Sequence, residues 1–144
     1  MNLQDFENMG LPENILRHVR NTPPCVKALG SEIIAMPDDS QLTISCLVKP
    51  DFCNPYGSMQ GGFITAVFDN AFGVLSILSL KRYSTTLSLN TVFHRPIFPG
   101  DVLTIEAKIL SQRRDIIYMQ ALAYNKERKH IASADTNYML LPNE

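Results

Sequence analysis

Tryptophan is absent, and the seven Phe and five Tyr are scattered along the chain rather than gathered into a platform on which bases could stack. Excess charge is missing too. The 13 Lys and Arg nearly balance the 14 Asp and Glu, and a formal charge of −1 creates no field to draw in nucleic acid or an anionic membrane. Cysteine is sparse: Cys25, Cys46 and Cys53 leave one unpaired, and no Cys-x-x-Cys or Cys/His spacing suits a metal. No metal and no cofactor are therefore expected. The opening M-N-L-Q-D-F-E-N-M-G has neither a basic nor an apolar stretch, so no signal peptide is read there, and a reduced cytoplasmic compartment is expected. Internal repeats and low-complexity segments do not occur.

A hydrophobic content of 45% in 144 residues suits one domain with a real core, read here as residues 1–144 with a helical segment over 1–24. The rest is organised around Asn54 to Leu80. Asn54-Pro55 and Gly57-Ser58 are turn formers, and Ser58 is a candidate N-cap. From Met59 the stretch is apolar on almost every side, the pattern of a helix buried all round. A membrane span fits the length, but Asp69, Asn70, Ser76 and Ser79 argue against it.

Two features interrupt the apolar run. Gly61 and Gly62 fall in the first turn, where glycine lets another molecule approach the backbone. Asp69 sits between Phe68 and Phe72, where a carboxylate is costly unless paired. Free N–H groups at a helix N-terminus suit an oxygen gaining negative charge, so Gly61 N–H is a candidate oxyanion donor and Asp69 a candidate base or nucleophile. Eight helical residues span about 12 Å, far beyond the ~3 Å at which both groups must meet one carbonyl. Gly61 and Asp69 of one helix cannot serve the same bond, whereas two helices antiparallel across a dimer axis could. A flexible Gly-Gly entry and a buried, hydrogen-bonded Asp are the structural alternatives.

At these residues the sequence resembles a family. Asn54, Gly57, Gln60, Gly61, Gly62 and Asp69 match an N-x-x-G-x-x-(H/Q)-G-G pattern followed by an apolar run and Asp. That pattern is similar to the hotdog-fold acyl-CoA thioesterases of the phenylacetate-pathway (PaaI-like) type. Downstream, Thr86 to Pro96 resembles the family's T-x-x-L-N-x-x-F-x-R-P strand, and Pro99-Gly100-Asp101 the turn after it. The resemblance implies a dimer, often paired into a tetramer, that hydrolyses an acyl-CoA thioester without metal. It implies Asp69 as nucleophile or general base, Gly61 N–H of the partner subunit on the carbonyl, and Gly62 beside the substrate. Asn54 would hold the loop or contact the thioester, and Thr86 would position water or the carboxylate. Gln60 departs from the His of many relatives: it can orient a substrate but cannot transfer a proton.

Elsewhere the pattern is of strands. A short helix over Pro12 to Arg20, with Ile15, Leu16 and Val19 on its apolar side, ends at Asn21-Thr-Pro-Pro24. It either covers the sheet or gates the acyl pocket. Val26 to Met36 and Gln41 to Lys49 read as a hairpin, and Thr86 to Arg95, Asp101 to Leu110, Ile116 to Tyr124 and Ile131 to Leu141 as four more strands, joined to antiparallel neighbours by short polar turns. Leu87, Leu89, Thr91 and Phe93 are expected on one face. The architecture is α+β, six antiparallel strands around one long helix, in agreement with the hotdog fold that the resemblance implies. Cys53 has no His nearby to activate it; Arg95-Pro96 is read as structural or Arg95 as a phosphate contact, and Lys81, Arg82, Arg113 and Arg114 as solvated charges or phosphate contacts. A hydratase would need a His beyond Asp69 in the helix, which is lacking. A non-catalytic acyl-CoA binding module is the other reading.

Overall fold

The computed structural model describes residues 1–142; the last two positions of the expected 1–144 domain lie outside the described residues. Six strands form one antiparallel sheet: β1 (Ser31–Asp38), β2 (Gln41–Leu47), β3 (Ser84–Phe93), β4 (Val102–Arg113), β5 (Ile116–Tyr124) and β6 (His130–Leu140), in the order β1-β2-β4-β5-β6-β3. Period-two patterning sets the two faces. In β4, Leu103, Ile105 and Ala107 are buried while Glu106 and Lys108 face outward. The β5–β6 turn is held by Asn125, whose side-chain oxygen accepts from the N–H groups of Glu127 and Lys129 at 3.0 and 2.9 Å.

The connection from β2 to β3 carries the long helix α4 (Gly61–Leu80), which lies across the inner face of the sheet as the hotdog fold requires. Its length and composition would suit a bilayer, yet Ile64, Val67, Phe68, Ala71, Phe72, Leu75 and Leu78 are buried and join the core shared with the strands. The expectation of burial all round needs correcting. A stripe on the other side, including Ala66, Asp69, Asn70, Gly73, Val74 and Ile77, remains half-buried, because one sheet can cover only one side of a helix.

Three short helices precede the sheet where one was expected: α1 (Leu3–Glu7), α2 (Glu13–Arg20) and α3 (Pro24–Leu29). Pro12 is the residue just before α2 rather than its first turn, and the Pro23-Pro24 pair that stops α2 also starts α3, with Pro24 in the first turn. Val26 is therefore helical, not the start of a strand. Gly30, in the left-handed region at φ 70°, caps α3 and releases β1 at Ser31.

Strand β3 departs most from its sequence pattern. It pairs with β6, not with the strand that follows it, and its far edge is open. Register passes from Thr86↔Tyr138 to Ser88↔Asn137, leaving Leu87 as an extra residue. That bulge takes Leu87 out of the alternation: Leu89 and Thr91 are half-buried but Leu87 is 53% exposed, and Phe93, at the strand's end, is 50% exposed.

Candidate active site

Asp69 lies on the half-buried side of α4, one turn before Gly73. Beneath it, the β3–β6 ladder sets Thr86 directly opposite Tyr138, and both hydroxyls reach the same carboxylate. Thr86 Oγ1 donates to Asp69 Oδ1 at 2.9 Å, and the Tyr138 hydroxyl donates to that same oxygen while lying 3.0 Å from the Asp69 carbonyl. One phenolic proton serves these two acceptors, so each bond is formed at the other's expense. Two donors fix Oδ1; Oδ2 has no partner among the described residues. The Leu87 bulge follows immediately, at the position where the strand must aim Thr86 at the helix.

Tyr138 is 3% exposed. Burial first, and then its hydrogen bond to Asp69, push its hydroxyl far above the usual tyrosine range, against a smaller opposite pull from Thr86. It therefore remains a proton donor at any ordinary pH. Sequence reasoning paired Asp69 with Thr86 but missed Tyr138. The residue stands in an apolar strand with nothing in its spacing to mark it, and its role depends on β3 lying beside β6.

The second group of expected residues gathers at the other end of the helix. Asn54 shapes the loop: its oxygen accepts from Tyr56 N–H at 2.9 Å, and its amide donates to Ser58 Oγ at 3.0 Å. Ser58 is thus an acceptor for Asn54 and does not cap α4. The N-cap is Gln60, whose side chain makes no capping bond and is exposed. The first helical N–H groups with acceptors in the chain are those of Phe63 and Ile64, both on the Gln60 carbonyl; Gly61 and Gly62 N–H find none among the described residues. Gly61 has a packing reason as well as an electrostatic one. A Cβ there would come 2.9 Å from Cζ of Phe93. Gly62 is open, its nearest neighbour being the Gln60 side-chain oxygen at 3.8 Å.

The structure thus brings Asp69 and Thr86 together, and Asn54, Gln60, Gly61 and Gly62 together, but separates the groups by more than two turns of α4. A cavity of about 1010 Å³ opens beside Asp69, Thr86 and Tyr138, walled by α4 on one side and by the N-terminal helices and β1 on the other. Of the remaining candidates, Arg82 has a structural role, donating to the Leu141 carbonyl at 2.6 Å and lying 3.7 Å from Asp115. Cys53 is half-buried with its thiol on the Lys49 carbonyl. Cys46 is buried on the Leu29 carbonyl, and burial raises its thiol above the usual range. No group of three potential metal ligands occurs among the described residues.

Comparison with solved structures returns the same architecture. The PaaI protein from the phenylacetic acid degradation operon of E. coli superposes with a TM-score of 0.82 at 22% identity, over 90% of this chain and 93% of that one. A hypothetical thioesterase from Streptococcus pneumoniae TIGR4, solved with coenzyme A, gives 0.73 at 24% identity over 79% and 90%. The smu.793 protein of Streptococcus mutans UA159, bound to acetyl CoA, gives 0.74 at 19% identity over 79% and 90%. No curated protein matches the sequence. Residues 56–132, more than half of the chain, match the family model of the thioesterase superfamily, and they run from the motif loop through α4, β3, β4 and β5. The chain belongs to the thioesterase superfamily.

Proposed function

We propose that the protein hydrolyses an acyl-CoA thioester, with Asp69 as its reacting carboxylate. The observation that carries this reading is the asymmetry of that carboxylate: Oδ1 is held by Thr86 and Tyr138, and Oδ2 is left without a partner next to a cavity. In the general-base form, Oδ2 takes a proton from water as the water oxygen bonds to the thioester carbon. The carbonyl electrons move onto oxygen, and their return expels the coenzyme A thiolate, which takes up the proton. In the nucleophilic form, Oδ2 itself bonds to that carbon, the thiolate leaves, and water then cleaves the resulting anhydride. The coenzyme A and acetyl CoA complexes of the two streptococcal neighbours support this choice of substrate.

The carbonyl oxygen needs a donor that this protomer cannot bring to its own Asp69. Gly61 of the partner subunit is that donor in our reading, and Gly62 and Gln60 flank the same substrate end while Asn54 keeps the loop in shape. The open edge of β3 and the exposed Leu87, Val92 and Phe93 on it support a homodimer, which in our reading pairs further as a dimer of dimers in the cytoplasm.

Release of free thiol from short, medium, long and aryl acyl-CoAs tests the reading. Asp69→Asn keeps the shape and both hydroxyl contacts' acceptor but removes the charge and the basicity, and turnover should fall by about 10²-fold or more. Failure of the wild-type protein to hydrolyse any of them, with tight acyl-CoA binding in both proteins, would make it a binding module instead.

A further inference from the structure

We propose that the N-terminal helices α1–α3 set the acyl group the site accepts, and that this group is an apolar chain longer than acetyl. The inference rests on the thioesterase reading and deepens it. The cavity beside Asp69 extends away from the carboxylate between two apolar walls. Ile15 and Val19 of α2 and Val26 of α3 form one, and Val74 and Ile77 of α4 form the other. Its volume of about 1010 Å³ is many times what an acetyl group fills. An apolar chain entering from the thioester would bury one side against these walls, so each added methylene gains apolar contact, which is the arrangement of a chain-length ruler.

The helices form this wall as a unit. They are tied to one another: Arg20 at the end of α2 meets Glu13 of its own helix at 2.5 Å and Glu7 of α1 at 3.4 Å. They are tied to the body at two points that flank the cavity. Tyr83 donates to the Asn14 carbonyl at 3.0 Å, and Asn70, next to Asp69, donates to the Cys25 carbonyl and Ser31 Oγ at 3.5 and 3.4 Å. A residue adjoining the reacting carboxylate thus holds α3 in place over it.

The test is Val19→Trp, at a half-buried position on the wall, with Val19→Ala as its converse. Filling the cavity should cut kcat/KM for octanoyl-CoA by about tenfold or more while leaving acetyl-CoA within about twofold; enlarging it should move the preferred chain to greater length. Equal losses on both substrates in Val19→Trp, with the chain preference unmoved in Val19→Ala, would overturn the proposal. Affinity for S-octyl-coenzyme A, a thioether that cannot be hydrolysed, separates this from failure of the hydrolase reading. If wild type hydrolyses nothing, the thioesterase reading fails alone: tighter binding of S-octyl- than S-methyl-coenzyme A, lost in Val19→Trp, still supports the acyl wall, and equal affinity for both overturns it.

Discussion

The two ends of the chemistry on α4 are built in opposite ways. Around Asp69 the chain is self-sufficient: two hydroxyls from a cross-strand pair converge on one oxygen, and the phenol is buried. At the helix start the chain supplies donors without acceptors, since Gly61 and Gly62 N–H point to nothing else among the described residues. The first region is finished by folding. The second, in the function we propose, is finished only when a ligand arrives. A carboxylate must be fixed beforehand to act on a given atom, whereas an oxyanion donor acts by being vacant until charge develops.

Substitutions can break or sharpen this contrast. The largest stability effect is expected at the vacant end, from Gly61→Ala. The new methyl would sit 2.9 Å from the far end of the half-exposed Phe93 ring, so the ring must swing aside, at a net cost of about 1 kcal/mol in thermal or urea unfolding. Phe93→Leu in the same background should return much of that loss, and a double-mutant cycle would measure the coupling. Additive effects would show that Phe93 is not what requires glycine.

At the finished end, Tyr138→Phe keeps the ring in the core and deletes one donor to Asp69. A roughly tenfold fall in kcat is expected with KM little changed, because the carboxylate is less well held while the cavity wall is intact. The same variant has a pH signature. Tyr138 titrates higher in the folded protein than its ordinary value of 10.0, so the folded state keeps a proton that the unfolded chain gives up. Its contribution to stability is complete below that value and declines as pH rises through and beyond it. Melting temperatures measured over pH ~8–11 should fall less steeply in Tyr138→Phe than in wild type.

The smallest effect should come from Gln60→His. Gln60 is exposed and makes no side-chain bond at the helix start, so stability should stay within about 0.5 kcal/mol. If turnover nevertheless rises and gains a new dependence near neutral pH, the vacant end can be made to carry proton chemistry, and the contrast between the ends softens.

What was legible in the sequence follows the range of the interactions concerned. Strands such as β5 and the alternation in β4 depend on neighbours two residues apart and were readable almost to the residue. Asp69 was conspicuous because a charge in an apolar helix violates a local rule, and Gly61 because glycine does the same. Their partners were not readable. Tyr138 meets Asp69 only because β3 crosses to β6, and Phe93 meets Gly61 only because the end of β3 returns to the start of α4. The helical cap was hidden differently: Pro24 and Gly30 bracket it with correct signals, but β-branched Val26 inside so short a helix imitates a strand.

Because Thr86 and Tyr138 face each other as a ladder pair, the proposed reacting centre inherits its geometry from strand alignment. Side chains alternate along a strand, so sliding β3 by one position against β6 would turn Thr86 to the outer face and bring Thr85 or Leu87 under Asp69. A chain that made that single error would have every element in place, a nearly complete core and no holder for its carboxylate beyond Tyr138. The bulge at Leu87 absorbs one residue of slack just past the pair: deleting Leu87 would keep Thr86↔Tyr138 and join it directly to Ser88↔Asn137, whereas deleting a paired residue beyond it, such as Leu89, would put the rest of β3, Phe93 included, out of step with β6.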